Sequence, residues 1–372
     1  MNDTPPPDRR FTARRQADRL LSGLRPQTVR ESLADLAALA DGPHPLDGPV
    51  DKYGDGLVRT LERRVADLLG KPDAAYFPTG TMAQQAALRT WADTHGPVVG
   101  MHPLAHPEVH ERGAHRVLSE LRTVPLTTAR RLPTAAELAA LDEPYHVLML
   151  ELPLRDAGFL LPSWGELDAL YDLAEEQGRP VHLDGARLWE STAHFGRPLP
   201  EICARAGSVY VSFYKSLGGH SGAMVAGEEE WVRRLKVWRH RYGGQIWQQW
   251  PAVLSALAGL DRELPRLPAY TAHARTVAAA LAAAAPDARV HPEPPHTHQF
   301  QLWLPHPAER LNEAGHRQAE ERGTSLFGGW WEPGPLPGLS MTEVTVQADA
   351  LEWTADEVAA AMEEFLDLLH KG

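Results

Sequence analysis

The chain has 372 residues, 43% of them hydrophobic and 23% charged, an ordinary globular composition long enough for one large core and a smaller satellite. A formal net charge of −12 argues against a general nucleic-acid or anionic-membrane partner, and no run of about eighteen apolar residues offers a membrane span. Cys203 is the sole cysteine, so an intrachain disulfide is impossible; with no apolar signal segment at the start, a cytoplasmic protein is expected.

Residues 1–9 are proline-rich and charged and read as an arm. Residues 11–24 place Leu20, Leu21 and Leu24 on one helical face, and a second helix is predicted over 28–40. The stretch 41–49 is turn chemistry throughout, which sets off an N-terminal segment of arm and helices over 1–50. Apolar residues at 57, 58, 61, 65, 68 and 69 predict a helix closed by Gly70. A strand over 74–77 then meets the turn Thr79-Gly80-Thr81 and a helix start, where backbone N–H groups and a threonine hydroxyl are ready donors to an anion. His102, His106 and His110 have the spacing of a metal-binding helix face. Pro103 and Pro107 break the helix which that spacing needs, so no metal is expected. Strands over 118–126 and 145–151 alternate with helices over 134–141 and 163–177, the pattern of a parallel sheet with crossovers.

The chemistry concentrates in residues 179–227. Pro180-Val181-His182-Leu183 is an apolar run that stops at Asp184-Gly185, and a second β-rich run over 208–213 stops at Tyr214-Lys215 before the turn Ser216-Leu217-Gly218-Gly219. A lysine at one strand end and a carboxylate at another, facing one crevice, suit pyridoxal phosphate (PLP). The amine can form a Schiff base with an aldehyde, and the carboxylate can keep a ring nitrogen protonated. Gly219-His220-Ser221-Gly222 resembles a hydrolase nucleophile elbow, but residues 214–217 separate it from the strand that an elbow requires. Cys203, in a helix over 199–206, reads as an apolar filler. A basic, tryptophan-rich helix spans 231–242. Helices over 252–264 and 270–285, strands over 297–304 and 343–347 and a last helix over 355–369, with Thr354 as its cap, make a small α+β domain. His296 and His298 read as the start of the first of those strands, not as a metal pair. The domain reading is therefore 1–50, 51–255 and 256–372.

His182-Leu183-Asp184-Gly185-Ala186-Arg187-Leu188 together with Ser212-Phe213-Tyr214-Lys215-Ser216-Leu217-Gly218 resembles the threonine aldolase and β-eliminating lyase group of fold-type-I PLP enzymes. The resemblance runs from about Tyr53 to Leu260. It implies an α/β fold, with a mainly parallel sheet in a large PLP-binding domain and a small α+β C-terminal domain. It also implies PLP on Lys215, Asp184 on the ring nitrogen, and Gly80 and Thr81 on the phosphate, with Thr79 for the family's Ser and Gln84 or Gln85 for its Asn. His106, in Ala105-His106 followed by Glu111, would stack on the ring and relay a proton, and Arg187 would bind the substrate carboxylate or the cofactor ring oxygen. Tyr53, in Asp51-Lys52-Tyr53-Gly54-Asp55, would reach a neighbouring subunit's site in a homodimer or homotetramer. Arg239 with Gly243-Gly244 would help hold a partner's phosphate. The activity implied is cleavage of the Cα–Cβ bond of a β-hydroxy-α-amino acid to glycine and an aldehyde. Among the departures, Leu152 replaces an Asn, Pro26 replaces a carboxylate-binding Ser, residues 339–346 lack the family's arginine, and Trp247 and His240 stand where the family has an Arg and a Lys. They leave as alternatives β-elimination, racemisation, transaldol exchange, or a non-catalytic binding or regulatory protein.

Overall fold

A computed structural model describes residues 8–370. The described residues up to Asp35 join those from Leu267 onward in one compact unit, and Leu36–Arg266 form the other. The sequence reading divided the chain at 50 and 255 instead; the helix Trp250–Arg262 runs across the second of those positions.

The larger unit is built on seven strands: β1 (Asp73–Phe77), β2 (Val98–Met101), β3 (Arg122–Pro125), β4 (Val147–Glu151), β5 (Val181–Gly185), β6 (Ser208–Ser212) and β7 (Ala223–Gly227). Their order across the sheet is β1-β7-β6-β5-β4-β2-β3. The five strands from β3 to β6 are mutually parallel, and β7 runs antiparallel to both its neighbours. β2 and β7 were not foreseen. Every residue of β2, β4, β5, β6 and β7 is buried, as befits strands covered on both faces. The helix Leu57–Leu69 has its expected bounds, and Gly70 closes it in the left-handed region at φ 66°. The helix Trp164–Glu176 between β4 and β5 opens on a reciprocal Ser163–Glu166 capping box.

Register decides which side chains meet. Glu151 lies opposite Asp184, and Asp184 opposite Tyr210, so three polar residues share one face at the C-terminal ends of adjacent parallel strands. Further down the same face, His182 and Ser208 meet the helix Gly80–His95. Burial pushes the His182 imidazole down to about 3, so the ring is neutral with one donor and one acceptor. Nε2–H donates to Gln84 Oε1 at 2.8 Å, Nδ1 accepts from Ser208 Oγ at 2.7 Å, and Trp91 Nε1 donates to that hydroxyl at 2.8 Å. This network seats the helix on the strand face, so the site above inherits a rigid floor.

In the smaller unit the helix expected over 11–24 is shorter. Arg9–Gln16 is helical, and Arg19–Leu20 then pairs in parallel with Thr324–Ser325. The leucines at 20 and 21 are buried by tertiary packing, not on a helical stripe. An antiparallel sheet runs in the order Glu332–Pro333, Ser340–Thr345, Gln299–Leu304, Arg289–His291. Its Phe300, Leu302 and Val344 share one core with Val277, Leu281, Leu311, Phe365 and Leu369 of the helices Leu267–Ala284, Ala308–Arg322 and Ala355–His370. Thr354 and Glu357 form the expected cap on the last helix. His298 precedes its strand instead of starting it, with Nδ1 on the Val346 carbonyl at 2.8 Å. Among the described residues no helix is long and apolar enough to cross a membrane.

Candidate active site

β6 ends at Ser212, and the chain turns sharply through Tyr214-Lys215-Ser216. The turn is pinned on several sides. Gly219 N–H donates to the Phe213 carbonyl at 2.8 Å, Ser216 Oγ to the Glu190 carboxylate at 3.0 Å, and His220 N–H to Ser255 Oγ at 3.0 Å. The Leu217 carbonyl fills the space that a Cβ on Gly259 would need, so the helix Trp250–Arg262 meets the turn at a glycine. Lys215 is partly buried, with its ammonium 5.0 Å from the Tyr214 ring centre.

Asp184, at the tip of β5, is 1% exposed. Burial pushes its carboxyl up to about 7 and Glu111 adds to the rise, while the Ala186 N–H, Arg187 and Lys215 oppose it. Lys215 and Arg187 therefore both bear on this one carboxylate. Its neighbour Glu151 is pushed up to about 8, by burial first and the Asp184 charge second. The N–H groups of His106 and Arg155 donate to the two Glu151 oxygens at 2.7 and 3.1 Å. Tyr210, on β6, is buried beside them and hydrogen-bonds Tyr214; burial raises both phenols.

His106 opens the short helix His106–Val109 after β2. Its Nδ1 lies 3.2 Å from Glu111 Oε1, and Glu111 Oε2 accepts from Gln85 Nε2 at 2.9 Å. Ser119 Oγ donates to Gln85 Oε1 at 2.9 Å and lies 2.9 Å from the Tyr242 hydroxyl. The other two histidines of that segment turn elsewhere, His102 to the Ala129 carbonyl and His110 to Asp156.

Thr79 caps the helix Gly80–His95, its Oγ1 accepting from Met82 N–H at 3.3 Å. A Cβ on Gly80 would collide with the Tyr210 hydroxyl, so glycine here lets the helix N-terminus close on the Tyr210–Tyr214 pair. Thr81 is exposed in the first turn. Gln84 and Gln85 are engaged by His182 and Glu111. Arg187 is buried with its Cζ 5.3 Å from the Phe159 ring centre, and its Nε has no hydrogen-bond partner among the described residues.

Lys215, Asp184, His106, Arg187 and Gly80 thus lie about the C-terminal ends of β4, β5 and β6. Tyr53 does not: it stands half exposed, edge-on to Trp247 with ring centres 4.9 Å apart. Nor does Arg239, which sequence reasoning had turned toward a partner's phosphate. It is buried, and its Nη1 donates at 3.0 Å to both Glu62 Oε1 and the Tyr76 carbonyl. Glu151, Tyr210 and Tyr214 were missed, although Glu151 ends an apolar run just as Asp184 does.

Residues 50–302 match the β-eliminating lyase family. A Listeria monocytogenes protein, provisionally described as an L-allo-threonine aldolase, is 32% identical over 96% of this chain and 99% of its own, with a TM-score of 0.87. An Exiguobacterium protein, provisionally described as an aromatic amino acid β-eliminating lyase/threonine aldolase, is 32% identical over 97% of this chain and 100% of its own, with a TM-score of 0.88. Low-specificity L-threonine aldolase 1 of Arabidopsis thaliana is 26% identical over 57% of this chain, and the match spans 62% of that protein's length. With the whole seven-stranded sheet inside the matched residues, the chain belongs to the β-eliminating lyase family and has the fold-type-I α/β architecture.

Proposed function

We propose that this protein is a PLP-dependent lyase that cleaves the Cα–Cβ bond of a β-hydroxy-α-amino acid, releasing glycine and an aldehyde. The observation that carries the reading is the buried Asp184 carboxylate at the tip of β5, opposite Tyr210 and beside the Gly80 turn that closes on the Tyr210–Tyr214 pair, with Lys215 next in the chain after Tyr214. Family membership supports both cofactor and reaction. The residues present fit PLP: an amine for its aldehyde at Lys215, a carboxylate for its ring nitrogen at Asp184, and the N–H groups opening a 16-residue helix, with Gly80 and Thr81, for its phosphate.

When bound, PLP supplies a conjugated electron sink at the substrate Cα, which makes that bond cleavable. Asp184 holds a proton on the ring nitrogen, a task for which a buried carboxylate needs a cation against it. Arg187 offers its guanidinium to the substrate carboxylate; its Nε is without a partner and its plane rests over Phe159. His106 would face the cofactor ring, and its Nε2 would take the proton of the β-hydroxyl. Tyr53 reaches the site of a second copy in a homodimer or homotetramer. The exposed Val50, Tyr53, Ile246 and Trp247 are apolar surface that such a partner would cover.

Turnover of L-threonine, L-allo-threonine and phenylserine with added PLP tests the reaction, read as aldehyde released. Borohydride reduction followed by peptide mass mapping tests the cofactor. We expect aldehyde from at least one of these amino acids, the cofactor fixed on Lys215, and loss of both in Lys215→Ala. Aldehyde from none of them would overturn the reaction, and a reduced protein without cofactor on residue 215 would overturn PLP.

A further inference from the structure

We infer that Glu111 is a positioning residue: it holds the proton of the His106 imidazole on Nδ1, so that Nε2 is left unprotonated. The inference rests on the proposed role of His106, but its geometry stands apart from turnover. His106 Nδ1 lies 3.2 Å from Glu111 Oε1, while Nε2 makes no hydrogen bond among the described residues and the ring is 35% exposed. An ionised carboxylate only accepts, so the nitrogen that faces it must carry the hydrogen. The group that hydrogen-bonds one imidazole nitrogen thereby sets which nitrogen is free to work.

The groups behind Glu111 make this arrangement one-way. Gln85 Oε1 is occupied by the Ser119 hydroxyl, so Gln85 must turn its NH₂ toward Glu111, and the contact is 2.9 Å. Because Ser119 Oγ donates to Gln85, the Tyr242 hydroxyl must donate to Ser119. Tyr242, Ser119, Gln85 and Glu111 thus form a directed chain that ends at Nδ1–H of His106. Gln85, Ser119 and the Glu111 side chain are almost wholly buried. Independently, the His106 backbone is tied by its N–H to Glu151 at 2.7 Å. Main chain and ring are thus held by different carboxylates, and only the ring contact chooses a tautomer.

The chain of donors makes an unusual prediction. In Glu111→Gln, the new amide oxygen must accept from Gln85 NH₂, which leaves the new NH₂ facing His106 Nδ1. That nitrogen then has to accept, and the ring proton moves to Nε2. In the double variant Gln85→Glu/Glu111→Gln, the carboxylate at 85 still accepts from Ser119 and now accepts the residue-111 NH₂. The residue-111 oxygen then faces Nδ1 again, and the original tautomer returns.

The test is ¹⁵N NMR of histidine-labelled, PLP-loaded protein, with the His106 resonance assigned by loss in His106→Gln. We expect Nδ1–H in the wild type, Nε2–H in Glu111→Gln and Nδ1–H again in the double variant. In parallel, kcat should fall about 10- to 100-fold in the single variant with KM held within about twofold, and recover in the double variant. A wild-type ring protonated on Nε2 overturns the inference without any variant. So does a Glu111→Gln protein that folds, by its melting curve, and keeps both the tautomer and kcat. If His106 proves dispensable for turnover while the tautomer switches as described, the role proposed for His106 fails and the positioning by Glu111 stands.

Discussion

Two carboxyl groups side by side at the tips of β4 and β5 carry a thermodynamic signature. Burial raises Asp184 to about 7 from 3.8 and, with the Asp184 charge, Glu151 to about 8 from 4.5. Each therefore binds its proton more tightly folded than unfolded. The stability this contributes is complete below the unfolded values and is lost as pH rises through the folded ones. The cofactor-free protein should accordingly melt at lower temperature as pH climbs from about 4 to about 8, and Asp184→Asn should flatten that fall. A melting temperature that rises across the window in the wild type would contradict the assignment. Arg187→Lys keeps the charge but not the fork; losing one charge-assisted hydrogen bond to the amino-acid carboxylate should raise KM about 10- to 100-fold in steady-state assays. Asp184 and Lys215 were legible because each follows an apolar run that ends abruptly. Glu151 ends its run in the same manner, yet its meaning depends on β4 lying next to β5, which no local pattern encodes. Tyr210 stayed hidden for the same reason, reading as one more β-former in a buried strand.

Elements were legible where their signal is local. The helix Leu57–Leu69 has a clear apolar stripe and a terminating glycine, and the capping box at Ser163 is written in four residues. The strands β2 and β7 were not, because four or five wholly buried residues show no alternation to read. Residues 11–24 failed differently: helical spacing of leucines was overruled by pairing with Thr324–Ser325, some three hundred residues away. Asp51 was read only as part of the segment that carries Tyr53, and its main partner is an element. Its buried carboxylate accepts from Gln249 N–H at 2.9 Å and Trp250 N–H at 2.8 Å, the start of the helix Trp250–Arg262 that backs the lysine turn. Asp51→Ala should cost about 1–2 kcal/mol by denaturant titration. Because that helix meets Leu217 at Gly259, the variant should also lose PLP affinity while keeping Lys215.

For the molecule as a whole, the exposed pair Tyr53 and Trp247 is the feature an isolated chain does not explain. Light scattering should give a mass at least twice 41.0 kDa, and Trp247→Glu should shift it toward the single chain with loss of turnover. A single-chain mass for the active wild type would remove the proposed sharing of sites. The sheet order has a further consequence, for biosynthesis. β1 borders only β7, which comes almost 150 residues later. While a ribosome is still short of Gly227, Asp73–Phe77 is an apolar ribbon with no rung to join, and nascent fragments released before that point should stick to chaperones or to one another.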